Sequence, residues 1–542
     1  MLSSLSRIGI LYPHFRASVA RQTLITGQQL LRTVTTAPEP KDLSLPPLSL
    51  VQNGIIQKNH QLHFRSLTSA ANLLRFSAPD FSLPVLDEMV RDTQQQKNPP
   101  NFKNIIFVCG QHLLLTTISL VKSLIALGAK PENIFMVGKP YSNNHDAVQE
   151  LKKLGINYQP NSKQMALGGF STAYNFDNFK MWAAALEHIE KLKKEGTPID
   201  GMIALDDGGH VLENMPEEAQ ILCKGRIVGI EQTSSGVNSA QTLGCPTIEV
   251  ATSAVKQIEP PMVAEIVARK LGEKLDSIKK NSPDFFIKSE PTIGVVGLGH
   301  IGQKVLLELV QKGYKKIAVF DKKSSNVEWA ESLQKEYPGL KIYATEDLRD
   351  CIWSADILIG CTGTDITAGR MSVFQGIQNP KILISCSSKD VEFQTLLNYI
   401  QKSRKGLSTD PLDDIDFQNG FQSPIKIIRG GTPVNFDNGL HSVPPEDIQL
   451  IRGLKLAAVL QAFGLIQEWE TKGTVKTQNY MVDPLKQQQV LSIWLSLQPK
   501  DRFDPATKNH LLDLQSIIAK SGGILYSNLE APELQSKFRP FS

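Results

Sequence analysis

Thr292-Ile293-Gly294-Val295-Val296 runs directly into Gly297-Leu298-Gly299-His300-Ile301-Gly302, and the fold is decided by this stretch. The first five residues predict a buried strand. The next six are GxGxxG, and Ile301, Val305, Leu306 and Leu309 behind them fall on one face of a helix. A lone GxGxxG is weak, but between a strand and a helix it is the fingerprint of a dinucleotide-binding Rossmann unit. The three glycines serve different ends. Gly297 makes the tight turn, Gly299 lets backbone approach a pyrophosphate, and Gly302 lets the helix pack closely on the strand. The helix N-terminus adds amides and the positive end of its dipole. The next strand, Lys316–Phe320, ends at Asp321, and 321 − 302 = 19 puts this acid where a ribose-binding carboxylate stands. Such a carboxylate repels a 2′-phosphate, whereas Lys322, Lys323, Ser324 and Ser325 would favour one. NAD is the expected cofactor, ahead of NADP.

Downstream, Asp356–Gly360 leads into Cys361-Thr362-Gly363-Thr364, and Lys381–Ile384 leads into Ser385-Cys386-Ser387-Ser388. Small polar residues after parallel strands suit close passage of a cofactor, and Thr362 is the candidate there. Upstream, apolar strand-like runs (Asn104–Cys109, Asn133–Val137, Gly201–Leu205, Arg226–Ile230, Thr247–Val250) alternate with helical segments at His112–Leu127, Ala147–Leu154 and Asp177–Lys194. This alternation predicts a second parallel sheet. The expected fold class is α/β, with two doubly wound parallel-sheet domains. The second is an NAD-binding Rossmann domain inserted before a returning C-terminal helix. The expected divisions are an extension at 1–60, a substrate-type domain at 76–280, the Rossmann domain at 286–430, a return to the first domain at 431–475 and a tail of unknown role at 476–542. Ser277–Pro291, rich in lysine and proline, is the expected hinge.

With 542 residues, 41% hydrophobic, 21% charged and a net charge of +4, the chain has the composition of a globular multidomain protein. It carries no electrostatic footprint for nucleic acid or an anionic membrane. Apolar stretches such as Leu113–Val121 and Leu456–Ile466 fall short of the ~20 residues that span a bilayer. Six scattered cysteines without a CxxC pair predict reduced thiols and no metal site. Residues 1–38 hold Arg7, Arg16, Arg21 and Arg32 and no acid, the composition of a mitochondrial transit peptide. The alternative is a tail that lacks acids by chance, on a cytoplasmic protein.

Three segments of the first domain place reactive side chains after strands: Cys109-Gly110-Gln111-His112, Asp206-Asp207-Gly208-Gly209-His210 and Glu231-Gln232-Thr233-Ser234-Ser235-Gly236. Singly, each has a plain structural reading as a cap or a turn. Together with Tyr141-Ser142, Thr362-Gly363, Asp365-Ile366, Gly369-Arg370, Asp390-Val391-Glu392 and Val434-Asn435, the chain from roughly 78 to 475 resembles S-adenosylhomocysteine hydrolase. In that family a tightly bound NAD oxidises the substrate's 3′-hydroxyl, homocysteine is eliminated, water adds, and the ketone is reduced. The resemblance implies His112 and Asp207 in proton transfer, Lys256 near the oxidised hydroxyl, and Thr233, Ser234, Ser235 and Asn435 beside the cofactor. It also implies a nucleoside-like substrate and a homo-oligomer.

The sequence departs from the family at informative places. Gln232 stands for a Glu, Pro260 for an Asp four residues after the lysine, Ser388 for a His, and Thr116 for the Glu that reads adenine. Lys256 is therefore expected to lack its carboxylate partner. The expected function is that of an NAD-dependent enzyme of this kind with an altered substrate. The alternatives are a catalytically silent NAD-binding relative acting through protein partners, and a two-domain NAD-dependent dehydrogenase of the 2-hydroxyacid type, whose Arg–Glu–His set is not evident.

Overall fold

The computed structural model of the chain describes residues 81–161, 170–233, 236–237, 244–281, 290–387, 391–403, 410, 412–437, 439–473, 475, 477–499, 502–503, 511–516 and 518. The expected extension at 1–60 lies outside them, and so do Ser234, Ser235, Ser388 and most of the expected hinge. Two parallel sheets lie within the compact unit Ala78–Ser542.

The first sheet contains β1 (Ile105–Leu113), β2 (Ile134–Asn143), β3 (Asn157–Gln159), β4 (Gly201–Asp206), β5 (Ile227–Glu231), β6 (Thr247–Glu249) and, from far along the chain, β14 (Asn479–Met481). Its order is β14-β6-β5-β4-β1-β2-β3, with every pair parallel. β1 and β4 are buried almost end to end, as central strands of a parallel sheet are.

The second sheet contains β7 (Thr292–Val296), β8 (Lys316–Phe320), β9 (Lys341–Ala344), β10 (Ile357–Gly360), β11 (Lys381–Ser385), β12 (Ile415–Phe417) and β13 (Ile425–Ile427). Its order is β12-β13-β11-β10-β7-β8-β9, with only the β12 edge antiparallel. Both sheets thus share the Rossmann winding, the second and third strands to one side of the first and the later strands to the other. The switch points fall between β1 and β4 and between β7 and β10.

Two long helices join the halves. α1 (Glu259–Asn281) leaves the first domain and packs Val267, Leu271, Leu275 and Ile278 into the core of the Rossmann sheet. α2 (Pro445–Lys472) returns and buries Leu450, Leu454, Ala458 and Ile466 in the first domain, ending at Gly473 with φ 75°. It has the length and hydropathy of a membrane span, but 72% of its most apolar 18-residue window is buried inside this fold, as in a core helix.

The structure corrects two expectations. β1 continues through His112 to Leu113, so His112 belongs to a strand rather than to the start of a helix; the helix begins at Leu115. The first domain also does not end at 475. β14 adds a parallel strand beside β6, and α3 (Pro484–Ser496), capped by the Asp483 carboxylate on the amides of Leu485 and Lys486, packs against α2. A three-residue edge strand carries almost no periodic signal, which is why the segment looks like a tail in sequence.

Trp494 of α3 is fully buried and donates its indole N–H to Glu446 O at 2.8 Å. Trp494→Ala should destabilise the first domain by roughly 3–5 kcal/mol. Urea unfolding measures this, and a loss below about 1 kcal/mol would show that 476–499 is dispensable after all.

Candidate functional site

The site begins with an irregularity between β1 and β2. Gln111 pairs with Gly138 and Leu113 with Asn143, so β1 advances two residues while β2 advances five. The bulged segment of β2 carries Lys139, Tyr141 and Ser142, and it faces His112. Bulges re-aim side chains in this way beside functional sites. Ser142 Oγ lies 2.5 Å from His112 Nδ1, and the Phe436 ring stacks on the imidazole with centroids 4.5 Å apart and planes 9° apart.

Asp207 follows β4 at the neighbouring strand end and is almost fully buried. Lys139 Nζ donates to Asp207 Oδ1 at 3.0 Å. Asp207 Oδ2 lies 3.7 Å from Lys455 Nζ and 3.9 Å from His112 Nε2, yet has no hydrogen-bond partner. Burial alone would raise the Asp207 pKa, but Lys139 foremost, with Lys455, holds it well below the usual carboxylate range, and His112 adds to this only when protonated. Burial also pushes His112 well below its ordinary value, with Lys139 adding to the effect and Asp207 opposing it. The resting pair is therefore an ionised Asp207 and a neutral His112. Burial alone would lower Lys139, but Asp207, Tyr141 and Tyr174 together outweigh it and the pKa is raised. Lys455, whose ammonium also donates to Gln111 Oε1, is pushed down to about 7 by burial and then by Arg452, against the pull of Asp207.

The two neighbouring acids are structural. Asp206 accepts from the amides of Asp207 and Leu212 at 2.7 and 2.8 Å, which shapes the turn after β4. Glu231 accepts from the amides of Gly208, Gly209 and Thr233 and from Thr233 Oγ1, tying the β4 and β5 loops together.

Lys256 is not stripped of its carboxylate. Pro260 does occupy the fourth position after it, but the carboxylate of Glu259, one residue earlier, pairs directly with the ammonium. Lys256 lies in a 3₁₀ turn that feeds α1, so an i+3 partner reaches the same side.

On the Rossmann side the glycines behave as their spacing predicts. Gly297 has φ +89°, and a Cβ there would lie 2.9 Å from Cys361 O. A Cβ on Gly302 would lie 1.9 Å from Gly297 O, so the helix His300–Gln311 rests on the turn itself. A Cβ on Gly299 would meet nothing within 4 Å: open space lies above this backbone, as a pyrophosphate requires. Asp321, at the end of β8, accepts from Leu298 N at 2.5 Å and Lys323 N at 2.8 Å, with further lone pairs on both oxygens. These residues fit a dinucleotide. Among the described residues no cluster of His, Cys, Asp and Glu is arranged for a metal ion.

One cleft of about 450 Å³ joins the two sides. His112, Asp207, Lys256, Thr233, Gly299 and Asn435 all line it. Gly297 and Gly302 form the turn beneath Gly299. Thr362 stands after β10, where its amide and hydroxyl bond to Glu392, whose own pKa is pushed up to about 7 by burial. The sequence reading missed Lys139, Glu259, Arg452 and Lys455. The signal for the last two was present: an arginine and a lysine, three apart, on the apolar stripe of a helix otherwise filled by Leu450, Leu454 and Ala458. All six cysteines are free thiols, as expected.

Residues 284–383 match the family model described as Shikimate / quinate 5-dehydrogenase. Over 390 residues the chain is 26% identical to uncharacterized protein Rv0104 of Mycobacterium tuberculosis (strain ATCC 25618 / H37Rv), covering 71% of this chain and 68% of that protein. The same figures hold for uncharacterized protein MT0113 of strain CDC 1551 / Oshkosh. Among solved structures, a dipicolinate synthase from Bacillus halodurans is 13% identical over 68% of this chain and 98% of its own, with a TM-score of 0.33. Delta(1)-pyrroline-2-carboxylate reductase from Thermococcus litoralis is 18% identical over 22% of this chain and 36% of its own, with a TM-score of 0.18.

The position of Lys455 predicts a pH dependence of stability. Its pKa is about 7 when folded, against an ordinary value of 10.5, so between those limits the unfolded chain holds a proton that the native chain lacks. Its contribution to stability therefore rises with pH across that window, by up to roughly 1.4 kcal/mol per unit, and is absent below pH 7. Lys455→Met should lack this rise. Urea unfolding of both proteins at several pH values between 7 and 10 checks it; parallel profiles would show that Lys455 stays charged.

Proposed function

We propose that the chain is a nicotinamide-dinucleotide-dependent enzyme that oxidises or reduces a small polar substrate in the cleft between its two sheets. The observation that carries this reading is the continuity of one cleft from the open backbone at Gly299 to the buried His112–Asp207–Lys139 cluster. The match of residues 284–383 to a dehydrogenase model supports the redox side. A bound nicotinamide supplies the hydride acceptor or donor.

The protein's own residues handle the proton and the positioning. Neutral His112 accepts a proton, and the imidazolium so formed faces Asp207 Oδ2, a buried acceptor with no other hydrogen bond. Lys139 keeps Asp207 ionised, and Ser142 and Phe436 fix the imidazole ring. The Lys256–Glu259 pair offers an ammonium donor to an oxygen on the substrate. A silent binder has no use for this much buried charge, because each ion costs several kcal/mol to desolvate. We therefore place the active enzyme ahead of the silent relative.

The finer reading, an enzyme descended from S-adenosylhomocysteine hydrolase with a shifted substrate, rests on the resemblance of His112, Asp207 and Lys256 to that family. Glu259 strengthens it by restoring a carboxylate beside the lysine, whereas Gln232 and Thr116 still depart from adenosine recognition. NAD is the proposed cofactor, on the strength of Asp321.

Calorimetry with NAD and NADP tests the cofactor. Gly299→Val should abolish binding while leaving the melting temperature unchanged, because its side chain enters open space. Undiminished NAD binding by that variant would refute the site. Asp207→Asn should lower any turnover by roughly 10²–10⁴-fold. S-adenosylhomocysteine should not be hydrolysed at ordinary enzyme rates, which are on the order of 1–10³ per second; homocysteine release that fast would restore the unmodified family activity.

A further inference from the structure

Arg452 stands out among the charges around the cleft. It lines the cleft from α2 with only 4% of its surface exposed. Its Nη2 donates to the neutral hydroxyl of Thr116 at 3.4 Å, its Nε is buried without a hydrogen bond, and it joins no ion pair among the described residues. The nearby acids are committed elsewhere. Asp207 is held by Lys139, Glu259 by Lys256, and Asp206 and Glu231 by backbone amides. A buried guanidinium left without a counter-charge is costly, and burial accordingly lowers its pKa, with Asp207 and Glu259 opposing from a distance.

We infer that Arg452 is the anchor for a carboxylate on the substrate, so that the natural ligand is a small organic acid rather than a neutral nucleoside. The charge count favours a monoanion. Among the groups that line the cleft, Lys139 balances Asp207 and Lys256 balances Glu259, which leaves the guanidinium unmatched; Lys455, on the far side of Asp207 and outside the cleft lining, is pushed down to about 7. The planar fork of arginine also fits a carboxylate edge to edge, with two parallel N–H···O bonds. Arg452 shares the cleft with His112, Asp207, Lys256 and Gly299 of the glycine loop. A substrate held by its carboxylate there would present its remaining atoms to those groups. The assignment deepens the oxidoreductase reading given above and depends on it only for the redox step, not for the binding.

The test is calorimetric titration of the full chain with acetate, pyruvate and benzoate and with their neutral amides, each with and without saturating NAD. At least one acid should bind, with its amide at least about tenfold weaker. Arg452→Met should weaken the acid by roughly 10–100-fold, the worth of one charge-assisted contact, and Arg452→Lys by less. Thr116→Glu keeps the arginine but sets a carboxylate beside Nη2. It should block the acid to a similar degree, and it answers the question if Arg452→Met does not fold. Equal binding of acid and amide, full binding by both Arg452→Met and Thr116→Glu, or no acid binding by the parent would overturn the inference. Loss of NAD affinity in Arg452→Met with acid binding intact would overturn it too, by assigning the guanidinium to the cofactor. If NAD fails to bind the parent while an acid binds through Arg452, the carboxylate site stands and the oxidoreductase reading falls.

Discussion

The arrangement depends on one buried carboxylate. Asp207 is ionised with 2% of its surface exposed, and an ion so placed is tolerable only if cations and donors surround it. Those partners come from three other elements: His112 from β1, Lys139 from the bulged segment of β2, and Lys455 from α2. The last lies 248 residues further on (455 − 207), after the whole Rossmann domain. The chain must therefore leave the first domain, build the second, and come back before the first is electrostatically complete. α2 is apolar because it is the core helix of the first domain, and it carries Lys455 and Arg452 because that core contains the site.

The same winding in both sheets explains why the parts meet. In an open parallel sheet the strand ends diverge at the switch point and leave a crevice at their carboxyl ends. In the first sheet that point holds His112, near the end of β1, and Asp207, after β4. In the second it holds the glycine turn and Cys361, after β7 and β10. Both sets of residues line one cleft. The hydrophobic cores need not be unusual for this. The site results from topology, and the exceptional residues are few.

How much of this was legible depends on how local each signal is. The glycine turn and Asp321 are readable because their constraints are backbone constraints at fixed spacing: a left-handed Gly297, an open Gly299 and a Gly302 with no room for Cβ. His112, Asp207 and Lys256 were legible only through resemblance, since a strand-end His or Asp has no local pattern of its own. Lys139 was not legible, because what defines it is a partner across the sheet; Lys455 left only the trace of a cation on an apolar helix face, since its partner lies far away in the chain. Reading by position also misplaced the neighbour of Lys256. Pro260 stood at the expected offset, but in a tight helical turn the residue before it supplies the carboxylate. β14 escaped because three residues on a sheet edge are too few to show alternation.

The path out of the Rossmann domain adds a further link. β13 ends at Ile427, the chain turns through Arg429 in a left-handed conformation (φ 50°), and Val434 N then bonds back to Ser385 O at 2.9 Å. The next residues are Asn435, which lines the cleft, and Phe436, which stacks on His112. A non-glycine residue at positive φ costs of order 1–3 kcal/mol and persists only when its surroundings fix it. Here the surroundings include the Arg429 amide bonded to Asp414 and the Asp437–Lys270 ion pair that ties the segment to α1. The ring that sets the plane of the His112 imidazole is thus held by the segment that leaves the last parallel strand of the second sheet. The two domains do not merely face each other across the cleft; the second supplies part of the geometry of the first.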